Sequence, residues 1–269
     1  MKACVIQLKY SYDPSELDAC FAREIELLDA CDDSMDVIVL PEYADVPADV
    51  AKTQDFALAM AKNGPVLDKK LRETAIRCKA LVFANYGYLT DNGYRNTTHV
   101  ISPDGKTIGR YFKAHPAPSE LANPDVDTDY EGDSTYVVEY DGVRYGFRTC
   151  YDFYFYEDAV SMARQNLDVI IGCSYQRTDT HDALEIMNRA LCYNTNAWLL
   201  RASISLGEDS EVCGCSMIVA PDGKIVKNMK NAVGHCTFEF DPHAKYYKKA
   251  GFNGELTAHW QYVDKGRTN

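Results

Sequence analysis

Three short stretches of the sequence contain residue types that an acyl-transfer reaction needs. Glu42 follows a short apolar run, Lys113 follows a strand-like run after a hairpin turn, and Cys150 ends another strand-like run. A thiolate can attack a carbonyl carbon, a carboxylate can move its proton, and an ammonium can stabilise the negative charge that develops. Taken singly, Glu42 is also typical of a solvated loop and Lys113 of a charged surface. Cysteine-based hydrolysis is therefore one hypothesis for these residues.

Cys150 differs from the other cysteines in its position. The run 143–149 is typical of a strand and a helical pattern begins at about residue 157, which predicts a sharp strand-to-helix turn at Cys150. Such a turn exposes the nucleophile and directs the next backbone N–H toward a developing oxyanion. The other nine of the ten cysteines are expected to be reduced and to pack in the core. Cys213 and Cys215 share a face, but a zinc site would need two more ligands, so core packing is favoured.

The elements that must position these residues alternate between helix and strand. Helical patterns are expected to start at Asp13-Pro14 and at Pro65, and apolar runs such as 36–40 indicate buried strands. Asp-Val-Ile occurs at 36 and 168, and Pro-Asp-Gly-Lys occurs at 103 and 221, which indicates a weak internal duplication. Two such halves predict an α/β fold, a four-layer α-β-β-α sandwich with an internal pseudo-two-fold axis. We predict one domain over 1–244 and a C-terminal extension over 245–269.

The composition of the 269-residue chain narrows the function classes. Lys and Arg number 28 and Asp and Glu 40, so the net charge is −12. This balance argues against nucleic acid and anionic membrane surfaces as partners, because both attract clustered Lys and Arg. No apolar run approaches the roughly 20 residues of a membrane-spanning helix, and the first eight residues are typical of a buried strand rather than a signal peptide. Together with the reduced cysteines, these features predict a cytoplasmic protein.

Taken together, the three stretches resemble the nitrilase superfamily of carbon–nitrogen hydrolases. The matching motifs are Pro41-Glu42, the Tyr-x-Lys-x-His segment 111–115 and Cys150-Tyr151-Asp152, in that order. Asn96, the Arg-Ala-x-x-x-Asn helix at 189–194 and the late hairpin 217–223 agree with the same pattern. The resemblance extends over roughly residues 2 to 242.

The resemblance implies a reaction that needs neither a metal nor an organic cofactor. Glu42 would take the proton of Cys150, the thiolate would attack the amide carbon, and Lys113 and the backbone N–H of Tyr151 would stabilise the oxyanion. Glu42 would then protonate the leaving nitrogen and later activate the water that releases the acid from the thioester. In the family a second glutamate steadies the lysine and the substrate, and Glu120 is its match.

The sequence after the cysteine is similar to the amidase branches, whereas the nitrilase branch usually has Cys-Trp-Glu. The expected partner is therefore a small-molecule amide or N-carbamoyl amine. A small nitrile as substrate and a non-catalytic binding or assembly module remain alternatives. Side chains that follow the cysteine or the next strand are expected to line the substrate pocket, namely Tyr151, Tyr154, Ser174 and Tyr175.

The chain also departs from the family pattern. Tyr154 stands where many members have Arg, and Tyr156 stands where Pro is usual. Arg148, two residues before the cysteine, replaces a residue that is commonly apolar. We expect Arg148 to pair with a carboxylate, either of the protein or of the substrate.

Members of this superfamily usually form dimers through the helices that follow the cysteine strand and the next strand. The resemblance therefore implies a homodimer or higher homo-oligomer built on helices at about 157–165 and 181–194. The extension past Lys245 is expected to add to this contact.

A different arrangement would pair Cys150 with His181, as in a papain-like cysteine hydrolase. The sequence lacks the Cys-Trp context near the N-terminus that this arrangement is expected to have. His115 is expected to be a loop histidine rather than a base. Replacing His181 by Ala would separate the two arrangements, because an amidase that uses Glu42 should stay largely active.

Overall fold

Two six-stranded sheets form the centre of the computed structural model, which describes residues 1–50, 53–132, 134–249 and 256–258. The first sheet contains β1 (Lys2–Lys9), β2 (Val37–Val39), β3 (Leu81–Thr90), β4 (Gly93–Ile101), β5 (Thr107–Phe112) and β12 (Gly234–Glu239). The second contains β6 (Val137–Tyr140), β7 (Val143–Thr149), β8 (Val169–Cys173), β9 (Trp198–Ser205), β10 (Met217–Val219) and β11 (Ile225–Asn228). Pairing of β1 with β9, from Gln7 with Ser203 to Lys9 with Ser205, joins the two sheets.

Helices cover the outer face of each sheet. Helices α1 (Leu17–Asp29) and α2 (Thr53–Cys78) pack on the first sheet, α3 (Pro118–Leu121) is a single turn, and α4 (Tyr156–Arg164) and α5 (His181–Thr195) pack on the second. Strand β1 shows how alternation builds these layers: Ile6 and Leu8 pack with α1 and α2, whereas Ala3 and Val5 face the second sheet. The predicted four-layer α/β sandwich is confirmed. No helix in the described part of the chain is long and apolar enough to cross a membrane.

Matching hydrogen bonds relate the two halves of the molecule. The Asp36 carboxylate accepts a hydrogen bond from the backbone N–H of Lys2 at 2.7 Å, and the Asp168 carboxylate accepts one from the backbone N–H of Arg144 at 3.0 Å. Each aspartate directly precedes a short buried parallel strand. The repeated Asp-Val-Ile motif therefore fixes equivalent strands in the two sheets.

The repeated hairpin turns also have equivalent environments. Gly105 and Gly223 have φ of +77° and +79°, which a side chain would make costly. The carbonyl of Gly105 accepts a hydrogen bond from Arg72 of α2 at 2.7 Å, and that of Gly223 accepts one from Arg189 of α5 at 2.9 Å. Each turn is thus held by an arginine of the helix beside it.

Helix α2 begins earlier than the sequence predicts. Pro65 lies inside the helix rather than at its start, although proline removes one backbone hydrogen bond. Apolar residues on both sides of it, Met60 and Leu67 among them, are buried in one stripe that continues past the proline. Packing against the first sheet therefore outweighs the local preference of Pro65 for a helix start.

The described part of the C-terminal extension lies against the second half. The Lys245 ammonium donates a hydrogen bond to the carbonyl of Leu167 at 2.5 Å and lies 3.2 Å from the Asp168 carboxylate. Two short strands, β13 (Tyr247–Lys249) and β14 (Leu256–Ala258), pair antiparallel. The rest of the predicted extension, 250–255 and 259–269, lies outside the described residues, so its role at an oligomer interface stays a prediction.

The core between the sheets provides a test of this architecture. Phe83 of β3 is fully buried, and its ring centre lies 5.1 Å from that of Tyr145 and 6.0 Å from that of Phe147 in β7. We expect Phe83→Ala to lower the free energy of unfolding by about 3–5 kcal/mol, because it leaves a cavity between the sheets. Leu89→Ala is the matched control in β3, since Leu89 is 66% exposed and its loss should cost about 0.5 kcal/mol or less. Denaturant titration measures both, and equal losses would contradict the packing of Phe83.

Candidate active site

Four predicted residues meet at one cavity where strand ends of both sheets come together. Glu42 lies just beyond β2, Lys113 follows β5 directly, and Cys150 follows β7 directly. Strand β5 runs in the same direction as β2, because β3 and β4 pair antiparallel and so do β4 and β5. The cavity has a volume of about 370 Å³, and its walls include Glu42, Lys113, Glu120 and Cys150.

Lys113 lies between two carboxylates. Its Nζ is 2.8 Å from Oε1 of Glu42 and 2.5 Å from Oε2 of Glu120, and all three side chains are buried. Burying an ammonium is unfavourable unless opposite charges and hydrogen bonds compensate for the lost water. A lysine ammonium has three N–H donors. Two of them serve these carboxylates, so the third is available to a ligand in the cavity.

The two carboxylates differ in their hydrogen bonds. In Glu120, Oε1 accepts from the Tyr43 hydroxyl at 2.6 Å and from Nδ2 of Asn96 at 2.7 Å, and Oε2 accepts from Lys113 and from a backbone N–H before α3 at 2.7 Å. In Glu42, Oε1 accepts from Lys113 and from Nδ2 of Asn96 at 2.7 Å. Both oxygens of Glu120 are occupied, whereas Oε2 of Glu42 takes no part in these contacts.

A chain of amides holds Asn96 in place. Nδ2 of Asn85 donates to Oδ1 of Asn96 at 2.7 Å, and Oδ1 of Asn85 accepts from the backbone N–H of Tyr43 at 2.9 Å. Asn96 therefore presents its amino group to both carboxylates. The sequence pattern indicated Asn96 through the family motif, whereas it gave Tyr43 no role, although Tyr43 follows Glu42 directly.

Cys150 adopts the sharp turn that its position predicts. Its φ is +45°, in the left-handed region that residues other than glycine rarely occupy, and a turn of 3₁₀ helix follows over Cys150–Tyr154. The half-buried thiol is hydrogen-bonded to the Glu42 carboxylate and to the backbone N–H of Tyr175. The turn thus presents the thiol to the carboxylate that has an oxygen to spare.

Asp152 connects the cysteine turn to the loop after β5. Its Oδ2 accepts from the backbone N–H of Thr149 and from the Tyr111 hydroxyl, both at 2.8 Å, and its Oδ1 accepts from the backbone N–H of His115 at 2.9 Å. A hydrogen bond from this carboxylate also raises the pKa of the His115 imidazole. His115 supports the loop and does not line the cavity.

Burial and charge push the pKa values of the two glutamates apart. Burial raises the pKa of Glu42 because it outweighs the attraction of the Lys113 ammonium. Burial acts in the same direction on Glu120, but the Lys113 charge and four hydrogen bonds prevail and lower its pKa. Burial opposes the charge of Lys113, but the negative charges around it raise its pKa. These environments favour Glu42 as the proton carrier and Glu120 as a fixed charge.

The same factors keep a proton on the cysteine. Burial, followed by the negative charge of Glu42, raises the pKa of the Cys150 thiol well above its ordinary value. Lys113 opposes this shift without cancelling it. In the resting site the thiol is therefore protonated, and a base must take its proton as it attacks.

Tyr175 lies in the cavity wall as predicted, but Ser174 does not. Ser174 continues β8, where successive side chains point in opposite directions, and its hydroxyl hydrogen-bonds to Gln176 at 2.9 Å and to Arg201 at 2.8 Å. Ser174 is thus buried behind the wall rather than exposed to a ligand.

The structure also places Tyr151 and Tyr154 away from the cavity wall. The 3₁₀ turn carries both outward, where their rings pack edge to face at 5.3 Å. Tyr154 is 46% exposed and its hydroxyl bonds to Asp179. Their predicted role as pocket residues has no support in this arrangement.

Arg148 and His181 both have partners within the protein. The Arg148 guanidinium pairs with the Asp158 carboxylate of α4, so the partner is the protein's own acid. Nε2 of His181 lies 3.1 Å from Oδ1 of Asn231, and His181 does not line the cavity of Cys150. Within the described residues, no group of three or more His, Cys, Asp or Glu side chains is arranged to hold a metal ion.

Four cavity residues had no role in the sequence pattern. Tyr10, Tyr43 and Phe56 form an aromatic wall with Tyr175, and Arg177 lies beside it. They come from four separate segments, and only the position of Tyr43 after Glu42 gave a local signal.

Comparison with known proteins agrees with this geometry. The profile of the carbon–nitrogen hydrolase family matches residues 2–243. A Pseudomonas protegens protein described as a hydrolase in the pqqF 5′ region is 27% identical over 194 residues, which are 70% of this chain and 65% of that protein, just under two thirds of its length. A Schizosaccharomyces pombe hydrolase is 25% identical over 246 residues, or 88% of this chain and 76% of that protein.

Solved structures show the same fold. The amidase from Nesterenkonia sp. AN1 superposes with a TM-score of 0.71 at 16% identity and covers 90% of this chain and 93% of its own. Saccharomyces cerevisiae Nit3, a member of branch 10 of the nitrilase superfamily, has a TM-score of 0.70 at 20% identity and covers 90% of each chain. With a family profile matched from the first strand to beyond the last strand of the sandwich, the chain belongs to the carbon–nitrogen hydrolase family of the nitrilase superfamily.

Proposed function

We propose that this protein hydrolyses the C–N bond of a small amide or N-carbamoyl amine through a thioester on Cys150. One observation carries the proposal: the Cys150 thiol is hydrogen-bonded to Glu42, whose carboxylate also contacts an ammonium with a donor to spare. Nucleophile, base and oxyanion donor thus share one cavity.

Acylation begins when Glu42 takes the thiol proton. The sulfur of Cys150 forms a bond to the amide carbon, and the carbonyl oxygen becomes an oxyanion. The free N–H of Lys113 and a backbone N–H of the cysteine turn donate to it, which is the kind of interaction that typically contributes about 10²–10³ in rate. Glu42 returns the proton to the nitrogen, the C–N bond breaks, and ammonia or an amine leaves.

Deacylation uses the same groups with water in place of the amine. Glu42 takes a proton from water, the hydroxide adds to the thioester carbon, and the C–S bond breaks. The proton returns to the sulfur of Cys150 and the carboxylic acid is released. Glu120 keeps its charge throughout, because both of its oxygens are engaged and its pKa is low.

The relatives support this chemistry. The two curated relatives are described as hydrolases, and in the Nesterenkonia amidase acrylamide adds to the active-site cysteine. Their likeness supports an amidase more than a non-catalytic module, as do the complete set of Glu42, Lys113 and Cys150 and the donor left free on Lys113.

Replacing either reacting group should stop turnover without unfolding the protein. We expect Cys150→Ala and Glu42→Gln to lower kcat by at least about 10³, because each removes a group that no neighbour replaces. Ammonia release from a panel of amides measures the effect, and circular dichroism checks the fold. Cys236→Ala is the matched control, since Cys236 is also partly accessible but lies on β12. Full activity of either active-site variant would rule out the proposal.

A covalent intermediate should form on Cys150 alone. We expect intact mass spectrometry of protein quenched during turnover to show one added acyl group, and peptide mapping to place it at Cys150. Acrylamide should add at the same thiol. An adduct at Cys236, or one that persists in Cys150→Ala, would contradict the assignment. Supplying nitriles in the same assay tests the nitrilase alternative.

The pKa shifts predict the pH range of activity. The reactive state has an ionised Glu42 and a protonated Cys150. Because the pKa of Glu42 is raised from 4.5, kcat/KM should fall on acidification with a midpoint above 4.5. Because that of Cys150 is raised from 9.0, the fall on the alkaline side should have its midpoint above 9.0. A pH profile of kcat/KM measures both, and an acid midpoint below 4.5 would contradict the role of the buried glutamate.

A further inference from the structure

Arg177 provides a cation in the cavity wall that the proposed chemistry does not use. It is half-buried, and its guanidinium lies 5.1 Å from the ring centre of Tyr175 and 5.8 Å from that of Tyr10. Nη1 donates to the Tyr10 hydroxyl at 3.2 Å. The two rings and this hydrogen bond fix the guanidinium beside the cavity and keep it from folding back onto the surface.

No described carboxylate forms an ion pair with Arg177. The acid that acts on it is Asp49, which is exposed at the cavity rim, so water and salt screen its charge. The contrast with Lys113 is clear, because Lys113 lines the same cavity but is paired with both glutamates. Of the two basic side chains in the described cavity wall, only Arg177 has its charge available to a ligand.

Tyr175 connects Arg177 to the reacting thiol. Its backbone N–H contacts the Cys150 sulfur, and its ring carries the guanidinium. A group bound to Arg177 would therefore lie about one tyrosine side chain away from the carbon that Cys150 attacks. The cavity volume of about 370 Å³ suits a small ligand that spans this distance.

We infer that the substrate carries a carboxylate, which Arg177 binds while Cys150 attacks the amide carbon. This inference rests on the proposed function and names the substrate class of the same site. The planar guanidinium can donate two parallel hydrogen bonds to a carboxylate, and such charge-assisted pairs give both affinity and orientation. The carboxylate can belong to the acyl group, as in a dicarboxylic acid monoamide, or to the leaving amine, as in an N-carbamoyl amino acid.

Matched substrate pairs test the inference and separate the two sources. Succinamate is compared with butyramide for the acyl side, and N-carbamoyl-β-alanine with propylurea for the amine side. We expect kcat/KM to favour the carboxylate in at least one pair by about 10- to 100-fold, the effect of a hydrogen-bonded charge. Arg177→Gln should abolish that ratio, and Arg177→Lys should keep part of it.

Arg110→Gln is the matched control. Arg110 is also half-buried and lies over a tyrosine ring, that of Tyr88 at 5.1 Å, but it does not line the cavity of Cys150. Its replacement should leave the substrate ratios unchanged. Equal losses for both members of each pair in Arg177→Gln would show a merely structural role and overturn the inference, as would the absence of any carboxylate preference in the unaltered protein.

A binding measurement keeps the inference testable if no amide is hydrolysed, a result that would refute the proposed function. Isothermal titration calorimetry with Cys150→Ala protein should show the carboxylate member of at least one pair binding about tenfold or more tightly than its neutral partner. Adding Arg177→Gln should remove the difference. Equal affinities in both pairs would overturn the inference independently of catalysis.

Discussion

The buried ammonium of Lys113 is the charge on which the arrangement of the site depends. Taking it out of water is tolerated because Glu42 and Glu120 lie within hydrogen-bond distance and Asn96 bridges both carboxylates. Removing one partner from such a buried group typically costs about 3–5 kcal/mol, because an uncompensated charge is left behind. The network therefore forms as a unit, and its geometry is set before any ligand binds.

This unit is completed only where the two sheets meet. Glu42, Lys113 and Glu120 follow elements of the first sheet, whereas Cys150 and Tyr175 follow strands of the second. The core between the sheets and the pairing of β1 with β9 fix the distance between these two sets. A carboxylate and a thiol from different halves of a duplicated fold thus come into contact, and stability and chemistry depend on the same packing.

The cavity separates its charged groups by how fully they are satisfied. Glu120 is saturated with donors and holds its charge, while Glu42 keeps one oxygen for proton transfer. Among the cations the same contrast recurs, with Lys113 paired and Arg177 left to a ligand. Saturated groups supply a fixed electrostatic environment, and unsaturated ones carry out transfer and recognition.

The sequence by itself determined the two-sheet sandwich, its duplication and the order of Glu42, Lys113 and Cys150 at strand ends, because strand patterns, hairpin turns and local motifs are properties of short segments. It also indicated the sharp turn at Cys150. It misplaced the start of α2 at Pro65, since packing of a long apolar stripe outweighed a local preference. Only the tertiary structure decided that Tyr175 faces the cavity while Ser174 does not, and that Arg177 comes beside the reacting thiol. Those outcomes depend on strand register and on contacts between segments far apart in the chain, which no local pattern encodes.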